Sequence, residues 1–324
     1  MDLVDVDGRT MAYRRAGAGP ALVFLHGGWS DSRAWGPQLA GLADSFDVIA
    51  WDAPGCGGSD DPPDEMTMSD YAEALAAFLV ALGVDGAHVG GLSWGGGLAL
   101  ALWERHPELV RSLILAGAYA GWKGSLPPEE VDARVRRVRS EVERPPEESL
   151  DGYLPSFFNG PVPPEYLELV RTMMIEGRPT GLLTMLTAFA EADLNAVLPT
   201  ITVPTLLLWG EHDQRAPLAT VAEALRSAIP TAELVVLPGI GHETNLEASE
   251  AFNTEVRRFL ETSDATLMRV TRATCALCGG QAESEDVPLT WMTSVEDGRK
   301  LLYCDRCARE NVRGIEGKLD SVYW

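Results

Sequence analysis

Residues 88–97 read HVGGLSWGGG, in which five glycines crowd around one serine. Gly91-Leu92-Ser93-Trp94-Gly95 forms a G-x-S-x-G pattern. It follows an apolar run at 87–91 and precedes a helical pattern at 98–104. Between a strand and a helix, such a serine sits on a sharp, strained turn with its hydroxyl above the sheet edge. Gly91 and Gly95 leave room for strand and helix to close on that turn. Gly96 and Gly97 let the helix pack on the sheet. The hydroxyl then lies at a helix N-terminus, which favours the negative charge that develops in acyl transfer. A plain glycine-rich turn would use the same residues, so the pattern does not decide alone. A serine nucleophile also needs a base.

Five histidines are available. His26 ends the first parallel strand beside Gly27-Gly28, His88 starts the strand before the serine, and His106 closes a helix before Pro107. His212 adjoins an acid on another loop. A serine on such a turn is followed in the chain by an acid and then a histidine. Only His242, in PGIGHETNLE after the last strand, follows every candidate acid loop. The acid comes from WGEHDQRAP: Asp213 is the better candidate and Glu211 the weaker. It would hold the imidazole tautomer and stabilise imidazolium. On its own, Asp213 would read as a helix cap or a surface charge.

A second constellation lies near the C-terminus. CALC at 275–278 and CDRC at 304–307 are two C-x-x-C pairs, 25 residues apart. Each pair can supply two corners of a thiolate tetrahedron, so Cys275, Cys278, Cys304 and Cys307 are expected to hold one zinc. Four protein ligands make that zinc structural. Two redox disulfides are one alternative. A rubredoxin-type iron site is another, but the second pair lacks the glycine that follows it there. Runs at 289–295 and 300–303 read as strands joined around Asp297-Gly298, and 308–319 as a helix. The segment resembles zinc-ribbon or treble-clef modules. About sixty residues bury little core, which makes metal the expected stabiliser.

These residues need a scaffold. Residues 3–15 alternate apolar and polar types around the turn signal Asp7-Gly8. Short apolar runs at 21–25, 47–51, 87–91, 110–116, 204–209 and 233–237 read as strands buried on both faces. Helical patterns lie between them. Tyr71, Leu75, Phe78, Leu79 and Leu82 share one face, closed by Gly83, and 218–228 and 249–260 read alike. Alternating strands and helices imply a mostly parallel sheet with helices on both sides. From 122 to 193 no strand is expected. Proline-punctuated helices at 129–143, 165–176 and 181–192 instead suggest a cap over the sheet's C-terminal edge, with a Pro/Glu-rich loop around 144–148. A polar stretch at 261–266 places a domain boundary near Ser263, giving domains 1–263 and 264–324 and a cap of about 120–198.

Residues 1–263 resemble the α/β-hydrolase superfamily with a helical cap. The resemblance rests on His26-Gly27-Gly28-Trp29, on DAPGCGGS at 52–59, on the serine turn, and on the Asp213 and His242 loops. It implies an α/β-hydrolase fold, with catalytic Ser93, Asp213 and His242 and an oxyanion hole of the Gly28 and Trp94 amides. Trp29 is the second choice as donor, and His26 becomes structural. Cys56 becomes a small buried or half-buried residue and not a nucleophile. Serine at 93 argues against the dehalogenase and epoxide-hydrolase branches, which need a carboxylate there. The implied chemistry is acyl transfer to water on a small ester or lactone, enol-lactones included. The proline-iminopeptidase branch, with tryptophan after its serine, would need cap carboxylates such as Glu165, Glu168, Glu176 or Glu191. Cofactor-free haloperoxidases share the triad. Trp35, Tyr119, Trp122, Phe157, Phe158, Met185 and Phe189 are apolar candidates for the pocket, with Trp29, Trp94 and Tyr119 the best placed.

A receptor or scaffold on a hydrolase fold is the reading from another class. The net charge of −22 disfavours nucleic acid and anionic membranes as partners. The last 61 residues hold ten acidic and eight basic side chains, a poor footprint for DNA or RNA. Protein contact or self-association through that module fits better, with Val322-Tyr323-Trp324 as an apolar contact. No signal peptide or membrane span is apparent, which makes the cytoplasm the expected location.

Overall fold

The computed structural model describes residues 1–63, 65–271, 274–282, 288, 290–296 and 299–316. The chain forms two compact units, Met1–Phe259 and Leu260–Trp324.

The first unit is built on an eight-stranded sheet. Its strands are β1 (Asp2–Val6), β2 (Arg9–Ala16), β3 (Ala21–Leu25), β4 (Asp47–Trp51), β5 (Ala87–Leu92), β6 (Val110–Ala116), β7 (Thr205–Gly210) and β8 (Ala232–Leu237). They lie in the order β1-β2-β4-β3-β5-β6-β7-β8. β1 and β2 pair antiparallel, as do β2 and β4, and every other neighbour is parallel. The hairpin turns on Asp7 and Gly8, both at positive φ. β4, β5 and β7 are buried at every residue, which explains their largely apolar runs: helices cover both faces. The helix Met68–Ala81 starts on a capping box between Thr67 and Asp70 and turns its Tyr71, Leu75, Phe78 and Leu79 into the core.

Among the described residues, 117–204 contain no strand. Five helices occupy the cap: Trp122–Ser125, Pro128–Val142, Pro146–Phe157, Pro164–Glu176 and Pro179–Glu191. The loop around 144–148 is shorter than expected: Arg144 and Pro145 lie between helices, but 146–148 already belong to the helix Pro146–Phe157. Proline has no N–H to lose in a first helical turn and its φ already suits one. The prolines here start helices as well as interrupt them. Arg178 ties the cap to the loop after β4 through the Ser59 carbonyl, at 2.5 Å.

The polar stretch expected to separate the domains is also helical, because Ser249–Thr271 forms one helix. No glycine or proline falls within 261–271 to stop it. In the second unit, Thr274 and Gln281 bridge across a tight turn with Gly279 at φ +69°. β9 (Met292–Glu296) and β10 (Arg299–Tyr303) form an antiparallel hairpin, and a helix runs over Asp305–Glu316. Leu289, the Asp297-Gly298 turn, residues 317–319 and Val322-Tyr323-Trp324 lie outside the described residues.

Candidate active site

β5 ends at Leu92 and the next helix begins at Trp94, leaving Ser93 alone to turn the chain. Its backbone takes φ +55° and ψ −111°, a conformation that costs a non-glycine residue about 1–3 kcal/mol. The turn is held by Ser93 N donating to Ala116 O at 2.8 Å. The closeness of the flanks explains the glycines. A Cβ on Gly91 would lie 2.2 Å from Gly95 O, and one on Gly95 2.2 Å from Leu25 O. Trp94 and Gly95 occupy the first turn of the helix Trp94–Arg105, where amides have no intrahelical acceptor.

Asp213 sits in the loop after β7. Its Oδ1 accepts from the amides of Arg215 and Ala216, each at 2.8 Å. Its Oδ2 lies 2.8 Å from His242 Nδ1, and both side chains are essentially buried. A carboxylate oxygen can only accept, so Nδ1 carries the proton and Nε2 keeps its lone pair. Glu211, the weaker acid, is exposed and accepts from the Gly239 amide. The His242 loop is fixed from the cap: Phe157 O accepts from His242 N at 2.8 Å and from Glu243 N at 3.0 Å.

Ser93 and His242 line one cavity, together with Gly27, Gly28, Trp29, Trp94, Trp122, Val138, Phe157, Leu186, Phe189, Arg215 and Glu243. Its volume is about 20 Å³, room for roughly one water. An acyl group can enter only if cap side chains such as Val138 and Leu186 move aside. Gly28 and Trp94, expected to form the oxyanion hole, lie in its wall. So does Trp29, whose φ is +64° and whose ring packs 5.1 Å from that of Tyr153.

Tyr119 departs from expectation. Its hydroxyl donates to the Arg215 carbonyl and accepts from Arg134 Nη1, and its ring meets the Phe189 ring edge-on. It supports cavity walls rather than forming one, because a buried phenol takes the partners nearest to it. Trp122, Phe157 and Phe189 do line the cavity. Trp35 instead stacks on Phe24 in the core, and Met185 is buried there. Glu165, Glu168, Glu176 and Glu191 are exposed on the cap. His26 accepts from Ala53 N at Nε2 and donates from Nδ1 to Gly27 O, so it pins two loops together. Cys56 is half-buried, and burial with nearby Asp52 and Asp31 pushes its thiol well above the usual range.

Sequence reasoning missed three positions. Glu243 borders the catalytic cavity, and burial pushes its carboxyl pKa up. Arg215 does too, and burial pulls its guanidinium pKa down. The third is Gly117, at φ +48°, immediately after β6. A Cβ there would lie 2.9 Å from the His242 ring and 3.1 Å from Asp213 Oδ2. Gly117→Ala is therefore expected to displace the imidazole and cut turnover about 10²-fold. Circular dichroism should show the fold retained. The sign of this position in the sequence is a glycine directly after a buried strand.

These loops sit at the carboxyl ends of parallel strands. Residues 22–255 match the family model described as the Alpha/beta hydrolase family. The chain belongs to this family. Like other members compared with it, it matches over the first unit. It is 32% identical to a 2-hydroxymuconate semialdehyde hydrolase of Pseudomonas putida over 268 residues, 79% of this chain and 92% of that one. Among solved structures it resembles a thermophilic esterase from Thermogutta terrifontis, with TM-score 0.73 and 28% identity over 81% of this chain and 98% of that one. It also resembles the enol-lactonase of Burkholderia xenovorans LB400, with TM-score 0.71 and 28% identity over 80% and 100%.

In the second unit, the sulfurs of Cys275, Cys278, Cys304 and Cys307 all lie within 4.8 Å of one another. Cys278 Sγ and Cys304 Sγ are 3.7 Å apart. Zinc–sulfur bonds of about 2.3 Å in a tetrahedron separate sulfurs by about 3.8 Å. The donor set and its spacing therefore fit zinc. No helix among the described residues is long and apolar enough to cross a membrane.

Proposed function

We propose that this member of the family is a serine hydrolase of a small ester or lactone, working through an acyl-enzyme. The observation that carries the reading is the His242–Asp213 hydrogen bond and a strained serine lining one cavity. Ser93 Oγ attacks the substrate carbonyl while His242 Nε2 takes its proton. Asp213, held by two backbone amides, stabilises the imidazolium. The amides of Gly28 and Trp94 receive the oxyanion. The tetrahedral intermediate collapses as His242 returns the proton to the leaving alkoxide. A water then attacks the acyl-enzyme by the same route, releasing the acid and restoring Ser93. The likeness to an esterase and an enol-lactonase supports the ester or lactone class.

A fluorophosphonate probe tests the reading, since it labels only an activated serine. Labelling at Ser93 together with turnover of p-nitrophenyl esters is expected. A protein that binds small esters but is neither labelled nor active would be a receptor on this fold. The assignment of the acid has its own test. Asp213→Asn should lower kcat by about 10⁴-fold, because the wrong tautomer is then held. Glu211→Gln should stay near the parent rate. The reverse pattern would transfer the role to Glu211.

For the second unit, the reading is a structural zinc held by the four cysteines, with the module serving protein contact or self-association. The near balance of charge in the module supports a protein partner over nucleic acid.

A further inference from the structure

A second cavity, of about 150 Å³, adjoins the catalytic one. Arg134, Arg137, Tyr153 and Ser156 are among the residues that line it. Trp122, Val138 and Arg215 belong to both walls. Three guanidinium groups thus converge on a cavity that shares a wall with that of Ser93, in a chain whose net charge is −22. No carboxylate is among the residues lining this second cavity.

The three arginines are not equivalent. Arg134 pairs with Glu130 at 2.7 Å, and Arg137 pairs with Glu141 at 2.8 Å. Arg134 also donates to the Tyr119 hydroxyl and the Arg215 carbonyl, and Arg137 to Gly152 O. These bonds fix both heads at the wall. Arg215 differs. Its guanidinium donates to Ser156 Oγ at 3.2 Å and lies over the rings of Tyr153 and Phe157. Among the described residues, no carboxylate pairs with it directly, although Asp213 and Glu243 lie close enough to act on its charge. Taking a charge out of water without a counter-ion is costly, and that cost is recovered if a ligand brings the anion. With Arg134 and Arg137 paired and Arg215 not paired directly, a singly charged anion suits the site better than a doubly charged one. A carboxylate matches the planar fork of a guanidinium and carries that single charge.

We infer that the cavity of Arg134, Arg137 and Arg215 is a carboxylate subsite, and that the substrate is an ester or lactone whose acyl part bears a second, free carboxylate. This rests on the hydrolase reading above and names its substrate class. A short acyl chain passing Trp122 and Val138 would join the carbonyl at Ser93 to the carboxylate at Arg215. Hydrolysis then releases a dicarboxylate and an alcohol from an ester, or opens a lactone to a single hydroxy-dicarboxylate.

The test compares two p-nitrophenyl esters of similar length: the hydrogen glutarate, which ends in a carboxylate, and the hexanoate, which ends in methyl. The expected kcat/KM ratio favours the glutarate at least tenfold, within the range of charge-assisted hydrogen bonds. Arg215→Gln should bring that ratio down about tenfold. Arg137→Gln, at a half-exposed site, should lower it in the same direction, and it carries the measurement if Arg215→Gln does not fold. A ratio at or below one in the parent protein overturns the subsite while leaving the hydrolase standing. So does an unchanged ratio in the folded variants. If neither ester is turned over and the fluorophosphonate does not label, the hydrolase reading fails first and the subsite falls with it.

Discussion

Ser93→Ala is expected to lower ester turnover by at least about 10⁴-fold and to abolish fluorophosphonate labelling, with the fold unchanged. The magnitude follows from mechanism. Without Oγ no acyl-enzyme forms, and what remains is the modest acceleration that an oxyanion site and binding supply. His242→Ala should lie within the same range, since residues that act as a unit do not contribute additively. The double variant should be no slower than either single one. Stability should not fall, because alanine at 93 keeps the backbone and loses one hydroxyl. It still bears the cost of a positive φ, so Ser93→Gly should be the more stable of the two inactive proteins. Burst kinetics with a p-nitrophenyl ester provide the check. A Ser93→Ala protein that still releases a stoichiometric burst would place the nucleophile elsewhere.

Removing metal from the second unit is expected to unfold it and to leave ester hydrolysis nearly intact. Purified protein should hold one zinc per chain, released on strong chelation. Structural zinc in small modules contributes apparent free energies of about 10–16 kcal/mol. The described residues of this unit bury few apolar side chains, which leaves nothing of that size to replace it. Amide exchange should therefore become fast at β9, β10 and residues 305–316 after chelation, and remain slow in β3 to β7. Cys275→Ser should behave like chelation. Iron in the metal analysis would replace zinc with a rubredoxin-type centre. Loss of kcat/KM along with the metal would make the second unit part of the catalytic machinery.

Much of this was legible before any coordinates. The strands announce themselves because a sheet covered on both faces demands unbroken apolar runs, as at 48–51 and 113–116. The serine turn announces itself because only glycine fits at 91 and 95. Residues 93, 213 and 242 stand out by order, since each follows a different strand of one sheet edge. What stayed hidden depends on contacts distant in sequence. Tyr119 follows a strand, as a pocket residue should, but which side of Phe189 it occupies is decided by Arg134 and Arg215. Arg215 reads as an ordinary surface cation in HDQRAP, and only the folded cap shows that it faces a cavity. The helix Pro146–Phe157 was masked by its own prolines, whose effect depends on whether they open a turn or interrupt one.

The Phe157 carbonyl, receiving two amides from the loop that carries His242, has a consequence for engineering this scaffold. Glu247 reinforces it by accepting from the amides of Asn159, Gly160 and Gly241. Residues 157–160 lie within the cap in sequence but serve as the footing of the general base. A chimaera that exchanged the cap of one relative for that of another as a block would sever this footing. It would be expected to bind new substrates with a misaligned imidazole. Grafts that keep 157–160 native and change only the cavity-facing positions 138, 186 and 189 would alter selectivity without disturbing proton transfer.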